Sequence, residues 1–306
     1  MSQHPPRRLT ITVDESLSGR TVDAILRGRL HLSGTVIKCA KRTPGGILLD
    51  QTPVFVTHRA EEGQRLSVLI GDSEAGGNVR PVRGCLSIVY EDEDILILDK
   101  PPGLAVHPGP GDQLHTLANA VVFHYEATEQ RCRFRAVNRL DRGTSGLLCV
   151  AKHAYVQERL TQQLHTAAFR REYLAVCEGS PDPADGVIDA PIGRDPTSAI
   201  RRMVRRDGKQ ARTEYRTMAS RGAYTLLSLT LVTGRTHQIR VHLAYRGYPL
   251  AGDFLYGTED NAVIARPALH CAALSLIHPI TGQALTWRSP LPDDMRALIN
   301  SAPPRA

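Results

Sequence analysis

The sequence predicts an α+β fold, in which a mixed, largely antiparallel sheet forms the main domain and a small α+β unit precedes it. Short alternating apolar segments are typical of strands, and they follow segments of helical spacing in an irregular order. Such an order favours a mixed sheet over a regular parallel one. Because Gly71–Asn78 is polar and glycine-rich, we expect the small unit in residues 1–70, a linker in 71–85 and the main domain in 86–300.

The small N-terminal unit is predicted to contain two helices and four short strands. Apolar residues keep helical spacing from Val22 to Leu30, and Ser33 can cap a second helix. The predicted strands are Leu9–Val13, Ile47–Leu49, Pro53–Val56 and Leu66–Ile70. Most basic residues of this unit fall on its helical half, which gives that half a positive charge.

The main domain is predicted to open with two strands and then to mix short strands with helices. Neither proline of Lys100–Gly103 has an N–H to donate, so this stretch is expected to be an irregular loop. Helical spacing from Leu114 to Val122 predicts a helix. The predicted strands include Leu86–Tyr90, Ile95–Asp99, Arg171–Cys177 and Leu227–Leu231.

One carboxylate lies in a short polar loop between two predicted strands. This is Asp141, in a stretch that begins Asn-Arg-Leu-Asp-Arg-Gly-Thr-Ser-Gly-Leu at residue 138. An isolated Asp between strands is usually a turn residue. Its neighbours Arg139 and Arg142 would favour the charged carboxylate, which is typical of a functional group. The pattern alone leaves both interpretations open.

The stretch resembles the signature of the RluA family of pseudouridine synthases, His-Arg-Leu-Asp-x-x-Thr-Ser-Gly-Leu, with Asn138 where most members have His. Further stretches of the family recur in the same order, and the resemblance covers roughly residues 86–290. These stretches are Asp99–Pro108, Arg171–Ala175, Thr233–Leu243, Gly252-Asp253 with Tyr256-Gly257, and Leu269–Ala272. The resemblance implies an enzyme that isomerises uridine in RNA, a reaction that needs neither a metal nor a redox cofactor.

The resemblance also assigns three active-site residues. Asp141 would be the catalytic carboxylate, Tyr173 would stack on the target base, and Arg235 would pair with Asp141. Arg235 falls at a strand-to-helix junction, where Thr236 can cap the following helix, so its guanidinium could also bind a carbonyl or a phosphate. Attack of the carboxylate on the sugar, attack on the base and proton abstraction from the ribose all remain open.

The charge balance favours a polyanionic partner. The chain has 38 Lys and Arg against 31 Asp and Glu, a net charge of +7 and a pI near 9.2. A flipped-out target nucleotide leaves a space that Arg139 is suited to fill, or it could hold the flanking phosphate. The expected RNA contacts are Arg139, Arg142, Arg171, Arg201, Arg202, Arg205 and Lys209, although a charged run can also be a solvated face.

The N-terminal unit loosely resembles the alpha-L RNA-binding module, with a purely structural extension as the alternative. We expect ribosomal RNA, most of all from the large subunit, as the substrate, with transfer RNA possible. The scattered cysteines and histidines predict neither a disulfide framework nor a metal site, and we expect no metal and no cofactor. Because no apolar run has the length of a membrane span, we expect a soluble, cytoplasmic protein with no membrane partner. The resemblance to the family implies a monomer.

Two other functions are consistent with parts of the pattern. A catalytically idle RNA-binding or ribosome-assembly protein would explain the replacement of His by Asn138, but Asp141, Tyr173 and Arg235 are all present. A hydrolase acting on a glycosidic bond commonly needs a second carboxylate. The nearest candidate, Glu172, is expected on the opposite strand face from Tyr173, which disfavours the hydrolase.

Overall fold

The N-terminal unit is a four-stranded antiparallel sheet in the order β1-β4-β2-β3, accompanied by two helices. The computed structural model describes residues 6–72, 77–164, 166–259 and 263–301. The elements are β1 (Arg8–Thr12), α1 (Val22–Gly28), α2 (Gly34–Arg42), β2 (Ile47–Leu49), β3 (Thr52–Pro53) and β4 (Arg65–Leu69). The predicted cap is confirmed, since the Ser33 side chain accepts the N–H of Val36 at 3.4 Å. The strand predicted at Pro53–Val56 was placed too late and too long.

A short turn replaces the Asn-Gly pair that would usually close the β2–β3 hairpin. Asp50 and Gln51 both have positive φ, 48° and 65°, as the type I′ turn of a two-residue hairpin requires. The Asp50 carboxylate accepts the backbone N–H of Arg65 at 2.8 Å, which ties the turn to β4.

A nine-stranded sheet forms the main domain, in the order β5-β6-β7-β14-β8-β13-β12-β9, with β15 beside β14. The pairing of β7 with β14 is parallel and the other pairings of this sheet are antiparallel, which confirms the predicted mixed, largely antiparallel α+β class. The strands are β5 (Ile88–Glu91), β6 (Ile95–Lys100), β7 (Ser145–Ala151), β8 (Arg170–Glu178), β9 (Asp185–Asp189), β12 (Arg212–Arg221), β13 (Tyr224–Leu231), β14 (Leu269–Ile277) and β15 (Ala284–Arg288).

Four helices and a two-stranded ribbon complete the main domain. They are α3 (Leu117–Ala127), α4 (Ala154–Gln163), β10 (Ile192–Arg194), β11 (Arg202–Val204), α5 (Gln238–Tyr245) and α6 (Asp293–Ser301). All seven residues of β7 are buried, so this strand is the centre of the core. Across the ranges that the structure describes, no helix is long and apolar enough to span a membrane.

The N-terminal sheet packs against the main domain through polar and apolar contacts. Arg7 makes a bidentate ion pair with Asp94, at 3.0 Å for both nitrogens, and the Tyr155 hydroxyl donates to the Leu30 carbonyl at 3.1 Å. One continuous apolar cluster includes Leu66 of β4 as well as residues of β7. The two parts therefore share a core.

Strand register brings distant parts of the chain to one edge of the sheet. Gly146 at the start of β7 pairs with Cys271, which pairs with Tyr173, which in turn pairs with Leu229 near the end of β13. The loop before β7, the start of β8 and the segment after β13 therefore meet at this edge. The carboxylate of Asp141 lies in the first of these segments.

Candidate active site

Asp141 lies in the loop that leads into β7, and the geometry of that loop depends on Gly146. A β-carbon on Gly146, whose φ is +106°, would stand 2.3 Å from the carbonyl oxygen of Cys271. Only glycine permits this close approach of β7 to β14. The side chain of Asp141 is 18% exposed, so its carboxylate is accessible at the sheet edge.

Asn138 anchors the same loop from within the core. Its Oδ1 accepts the backbone N–H of Cys149 at 2.8 Å, and its Nδ2 donates to the Leu147 carbonyl at 3.4 Å. The buried amide of Asn138, three residues before Asp141, thus bonds to the backbone on both sides of Leu148 in β7. In this chain the residue that replaces the family's His has a structural role.

The cation beside Asp141 is Arg240, from the first turns of α5. Its Nη1 lies 3.7 Å from Oδ2 of Asp141, while Nε and Nη2 make a bidentate pair with the buried carboxylate of Asp253, at 2.8 and 2.7 Å. The rings of Tyr256 and Phe254 lie beside the guanidinium, at 5.0 and 5.8 Å. The planar guanidinium is therefore fixed on three sides.

The predicted pairing of Arg235 with Asp141 requires correction. Arg235 lines the same cleft, but its Nε donates to the carbonyl of Gln210 at 2.9 Å. Within the described ranges, the ion-pair partners of Asp141 are His237 and Arg240. The predicted cap is also wrong, because α5 begins after His237, which makes no side-chain capping bond.

His237 is the second group beside Asp141, with Nε2 3.9 Å from Oδ2. It has a left-handed backbone, φ 58°, which is uncommon for a residue other than glycine and is typical of functional sites. Nδ1 shares a hydrogen bond of 2.8 Å with the Tyr256 hydroxyl. Burial lowers the pKa of His237 from its ordinary value and Arg240 acts in the same direction, although Asp141 raises it. The imidazole is therefore neutral at neutral pH.

Tyr173 lines a narrow cavity of about 60 Å³ that also reaches Asp141. The ring is buried, and burial raises the pKa of its hydroxyl far above the ordinary value, so the phenol stays protonated. A wider cleft of about 1220 Å³ adjoins Asp141 on the outer side, between Arg139, Phe254 and Arg266. Glu172 is exposed on the other face of β8, as alternation predicts, so it supplies no second carboxylate to this cavity.

Lys100, the last residue of β6, is bonded to the backbone of the loop that carries Asp141. Its side chain is fully buried and its Nζ donates to the carbonyls of Pro101, Leu104 and Arg142, at 2.8, 2.9 and 3.2 Å. Burial lowers the pKa of Lys100 to about 7, and Arg266 acts in the same direction, whereas Asp141 raises it. Three acceptors match the three donors of an ammonium group. Lys100 thus joins the loop after β6 to the loop that carries Asp141.

The predicted RNA contacts divide into three groups. Arg139 and Arg142 are exposed beside Asp141, and the Nε of Arg142 donates to the Gly103 carbonyl at 2.8 Å. Arg171 is buried in the cleft, so a surface contact with the RNA backbone does not fit it. The remaining residues lie on or beside the β10–β11 ribbon, where Arg205 pairs with Asp207. They are Arg201, Arg202, Arg205 and Lys209.

The sequence-based prediction did not identify four residues of the site, which are Lys100, His237, Arg240 and Asp253. All of them fall within the recurring family stretches, so position in a motif was an available signal. His237 and Arg240 are also three residues apart, a spacing that brings side chains to one side of a helix. The pairing of Arg240 with Asp253 joins residues 13 apart, and no local pattern indicates it.

Among the described residues, the side chains that together have metal-ligand spacing are Asp92, Asp94 and His278. They lie at the far end of the sheet, where Asp94 is already bonded to Arg7 and His153. Nδ1 of His278 accepts two backbone N–H groups, so Nε2 carries the proton and faces Asp92 at 3.1 Å. This tautomer leaves no free ring nitrogen on His278 for a metal ion.

Comparison with known proteins identifies the relatives of this chain. Residues 94–245 match the family described as RNA pseudouridylate synthase. The chain is 40% identical to ribosomal large subunit pseudouridine synthase D of Nitrosomonas europaea, over 98% of this chain and 89% of the relative. It is 38% identical to the uncharacterized RNA pseudouridine synthase YhcT of Bacillus subtilis, over 96% and 97%.

The fold is similar to that of a solved human structure, RNA pseudouridylate synthase domain containing 1. The TM-score is 0.59 at 25% identity, and the match covers 72% of this chain and 89% of the human chain. The 40% identity to the Nitrosomonas europaea enzyme along 98% of this chain, together with the family match over residues 94–245, shows the family. The chain belongs to the RluA-type family of RNA pseudouridine synthases, enzymes that isomerise uridine to pseudouridine.

Proposed function

We propose that this enzyme isomerises specific uridines of structured RNA, with large-subunit ribosomal RNA as its substrate and Asp141 as its catalytic carboxylate. The observation that carries the assignment is the position of Asp141, between the narrow cavity at Tyr173 and the wide outer cleft. A nucleotide extruded from RNA can enter from the wide side and place its base in the narrow one. The relatives named for the large ribosomal subunit support the choice of RNA.

The side chains around Asp141 supply the groups that the chemistry needs. Tyr173 supplies a planar ring against which a detached base can be held. Arg240 fixes the carboxylate electrostatically, at 3.7 Å, without a close hydrogen bond that would reduce its reactivity. Arg139, exposed at the rim, is suited to occupy the space that the flipped nucleotide leaves. The same arrangement serves attack on the sugar, attack on the base and proton abstraction from the ribose.

A basic path leads from the catalytic cleft along the β10–β11 ribbon. A second cleft of about 460 Å³ shares Gly234–Thr236 with the first and is lined by Arg194, Arg202, Lys209 and Arg235, with Asp207 as its acidic residue. The carboxylate of Asp207 is paired with Arg205. Phosphates of the RNA backbone would find unpaired cations here, and binding through them should weaken steeply with salt.

The N-terminal unit is proposed to be an RNA-binding module of the alpha-L type, which would give the enzyme two RNA contacts. The enzyme is also proposed to act as a monomer in the cytoplasm. Exposed basic side chains on α2 and directly after α1 include Arg29, Lys38, Lys41 and Arg42. Their spacing along two adjacent helices gives a positive face. Its packing on the main domain would fix that face relative to Asp141.

Chemical mapping of pseudouridine in total RNA tests the proposal. Cells that lack the gene are compared with the same cells carrying the wild type or Asp141→Ala. A large-subunit site restored by the wild type alone would establish the activity, the RNA and the role of Asp141. A restored site in transfer RNA would contradict the choice of substrate. If no site differed, a catalytically idle RNA-binding protein would be the better description.

A further inference from the structure

Arg171 is a buried arginine whose side chain has no charged or hydrogen-bonding partner among the described residues. It is 8% exposed, and its Nε is buried without a hydrogen bond. In the part of the chain that the structure describes, its guanidinium has no ion pair either, and its one marked contact is the ring of Phe169 at 5.9 Å. A buried guanidinium normally has a carboxylate or several carbonyls around it. Arg171 therefore offers donors to a group that binds from outside.

The guanidinium lies in the same narrow cavity as the catalytic carboxylate. Arg171 and Tyr173 are two residues apart on β8, and both are buried while the intervening Glu172 is exposed. Side chains so spaced stand on one face of the strand. Both line the cavity of about 60 Å³ together with Asp141. The terminal nitrogens lie over Gly234, where an added β-carbon would stand 3.5 Å from Nη1, an ordinary contact distance.

The lining of the cavity indicates a base rather than a phosphate. Apolar side chains of Leu231, Ile239 and Leu269 line it together with the carboxylate of Asp141, which would repel a phosphate. Its two exposed cations, Arg139 and Arg235, also line the wide cleft and the ribbon cleft, respectively. A dianionic or monoanionic phosphate keeps most of its oxygens in water, whereas a uracil ring presents flat apolar faces and two carbonyl oxygens at its edge. A base stacked on Tyr173 would present that edge to the neighbouring side chain on the strand.

We propose that Arg171 donates to a carbonyl oxygen of the target uracil and stabilises the negative charge that develops on the base during isomerisation. This inference rests on the proposed function. When the C1′–N1 bond breaks, its electron pair stays on N1 and is shared with the ring carbonyls. C5 then bonds to C1′ and loses its proton, and N1 takes one up, so the product is an isomer of the substrate. If Asp141 instead adds to the base first, the same carbonyls take up the charge.

Arg171→Met and Arg171→Lys, compared with wild type, test this role on an RNA that the wild type modifies. The matched control is Arg221→Met, an exposed arginine at the far end of β12. Single-turnover rates at saturating enzyme should fall about 100-fold or more for Arg171→Met, with partial recovery in Arg171→Lys. The RNA dissociation constant and its dependence on salt should stay close to wild type. Arg221→Met should match wild type in both.

Thermal unfolding completes the test. Because Arg171→Met replaces an unpaired buried cation with an apolar side chain of similar length, Tm should stay the same or rise. A normal rate with weaker RNA binding and a salt slope reduced by about 1 would identify a phosphate contact and overturn the proposal. A fall in Tm that accounts for the lost rate would make Arg171 structural and overturn it too. Inactive wild-type enzyme would instead count against the proposed function.

Discussion

Arg240 and Asp253 form a buried bidentate ion pair that turns Nη1 of the guanidinium toward Asp141, at 3.7 Å. The carboxylate of Asp253 also accepts the N–H groups of Leu255 and Tyr256, so it is itself held in place. The cation that faces the carboxylate of Asp141 is thus positioned by a chain of fixed groups. A lysine has the charge but cannot bond to two carboxylates in one plane.

Arg240→Lys should therefore lower the single-turnover rate about 100-fold, because the ammonium loses the orientation that Asp253 imposes. Asp253→Asn should lower the rate as well, and it should reduce the free energy of unfolding by about 3 kcal/mol because Arg240 is left buried without its charged partner. Rates and urea unfolding measure the two effects. Arg235→Lys is the comparison, and its loss of rate should be clearly smaller. The reverse ranking would make Arg235 the partner of Asp141.

Asn138 should matter for stability as much as for activity. Asn138→Ala removes the acceptor of the buried Cys149 N–H and should cost about 1–3 kcal/mol of unfolding free energy, with a lower rate because the Asp141 loop loses its anchor. Asn138→His introduces the residue found in most family members and should retain most of the activity. Thermal unfolding and single-turnover rates of the same preparations decide the matter. A lower rate for Asn138→Ala at unchanged stability would place the residue in the chemistry.

The sequence located the active-site segments but not the contacts between them. Asp141 and Tyr173 come together because strand register places their segments at one sheet edge, and alternation on β8 was readable in advance. The identity of the arginine that faces Asp141 was not readable in advance. A helix capped by Thr236 would begin one residue earlier, but His237 takes a left-handed conformation and α5 starts at Gln238. Arg235 then precedes the helix and bonds to a distant loop, and Arg240 faces the carboxylate. Which of the two arginines faces Asp141 depends on non-local partners such as Asp253.

Acid should weaken the contact between the N-terminal sheet and the main domain through Asp94. Burial alone would raise the pKa of this carboxyl, but hydrogen bonds from His153 and Arg7 outweigh it and lower the pKa to about 2 from the usual 3.8. Above pH 4 both folded and unfolded chains carry the charge and the stabilisation is complete. As the pH falls from about 4 to about 2, the unfolded chain takes up a proton first, and about 2 kcal/mol is lost.

Asp94→Asn should remove this part of the pH dependence. Urea unfolding at about pH 6, 4, 3 and 2 measures it across the range in which the stabilisation is lost, and the variant should be less stable at pH 6 but lose less on acidification. Asp23→Asn is the control, because that partly exposed carboxylate pairs with Arg27 on α1. Parallel pH profiles for Asp94→Asn and wild type would show that Asp94 does not set the acid sensitivity.

Arg139 should matter most when the target nucleotide has to leave a structured RNA. The side chain is exposed at the rim of the wide cleft, two residues before Asp141, so it can enter the gap that extrusion creates. Extrusion costs a few kcal/mol from a helix and least from an unpaired strand. Arg139→Ala should therefore slow turnover of the folded target more than that of an unstructured oligonucleotide with the same sequence.

Asp141→Ala is the reference for a defect in chemistry, which should abolish turnover of both RNAs. If Arg139→Ala slowed both RNAs to the same extent, the side chain would contribute to binding or chemistry, and filling of the vacated site would be ruled out as its role.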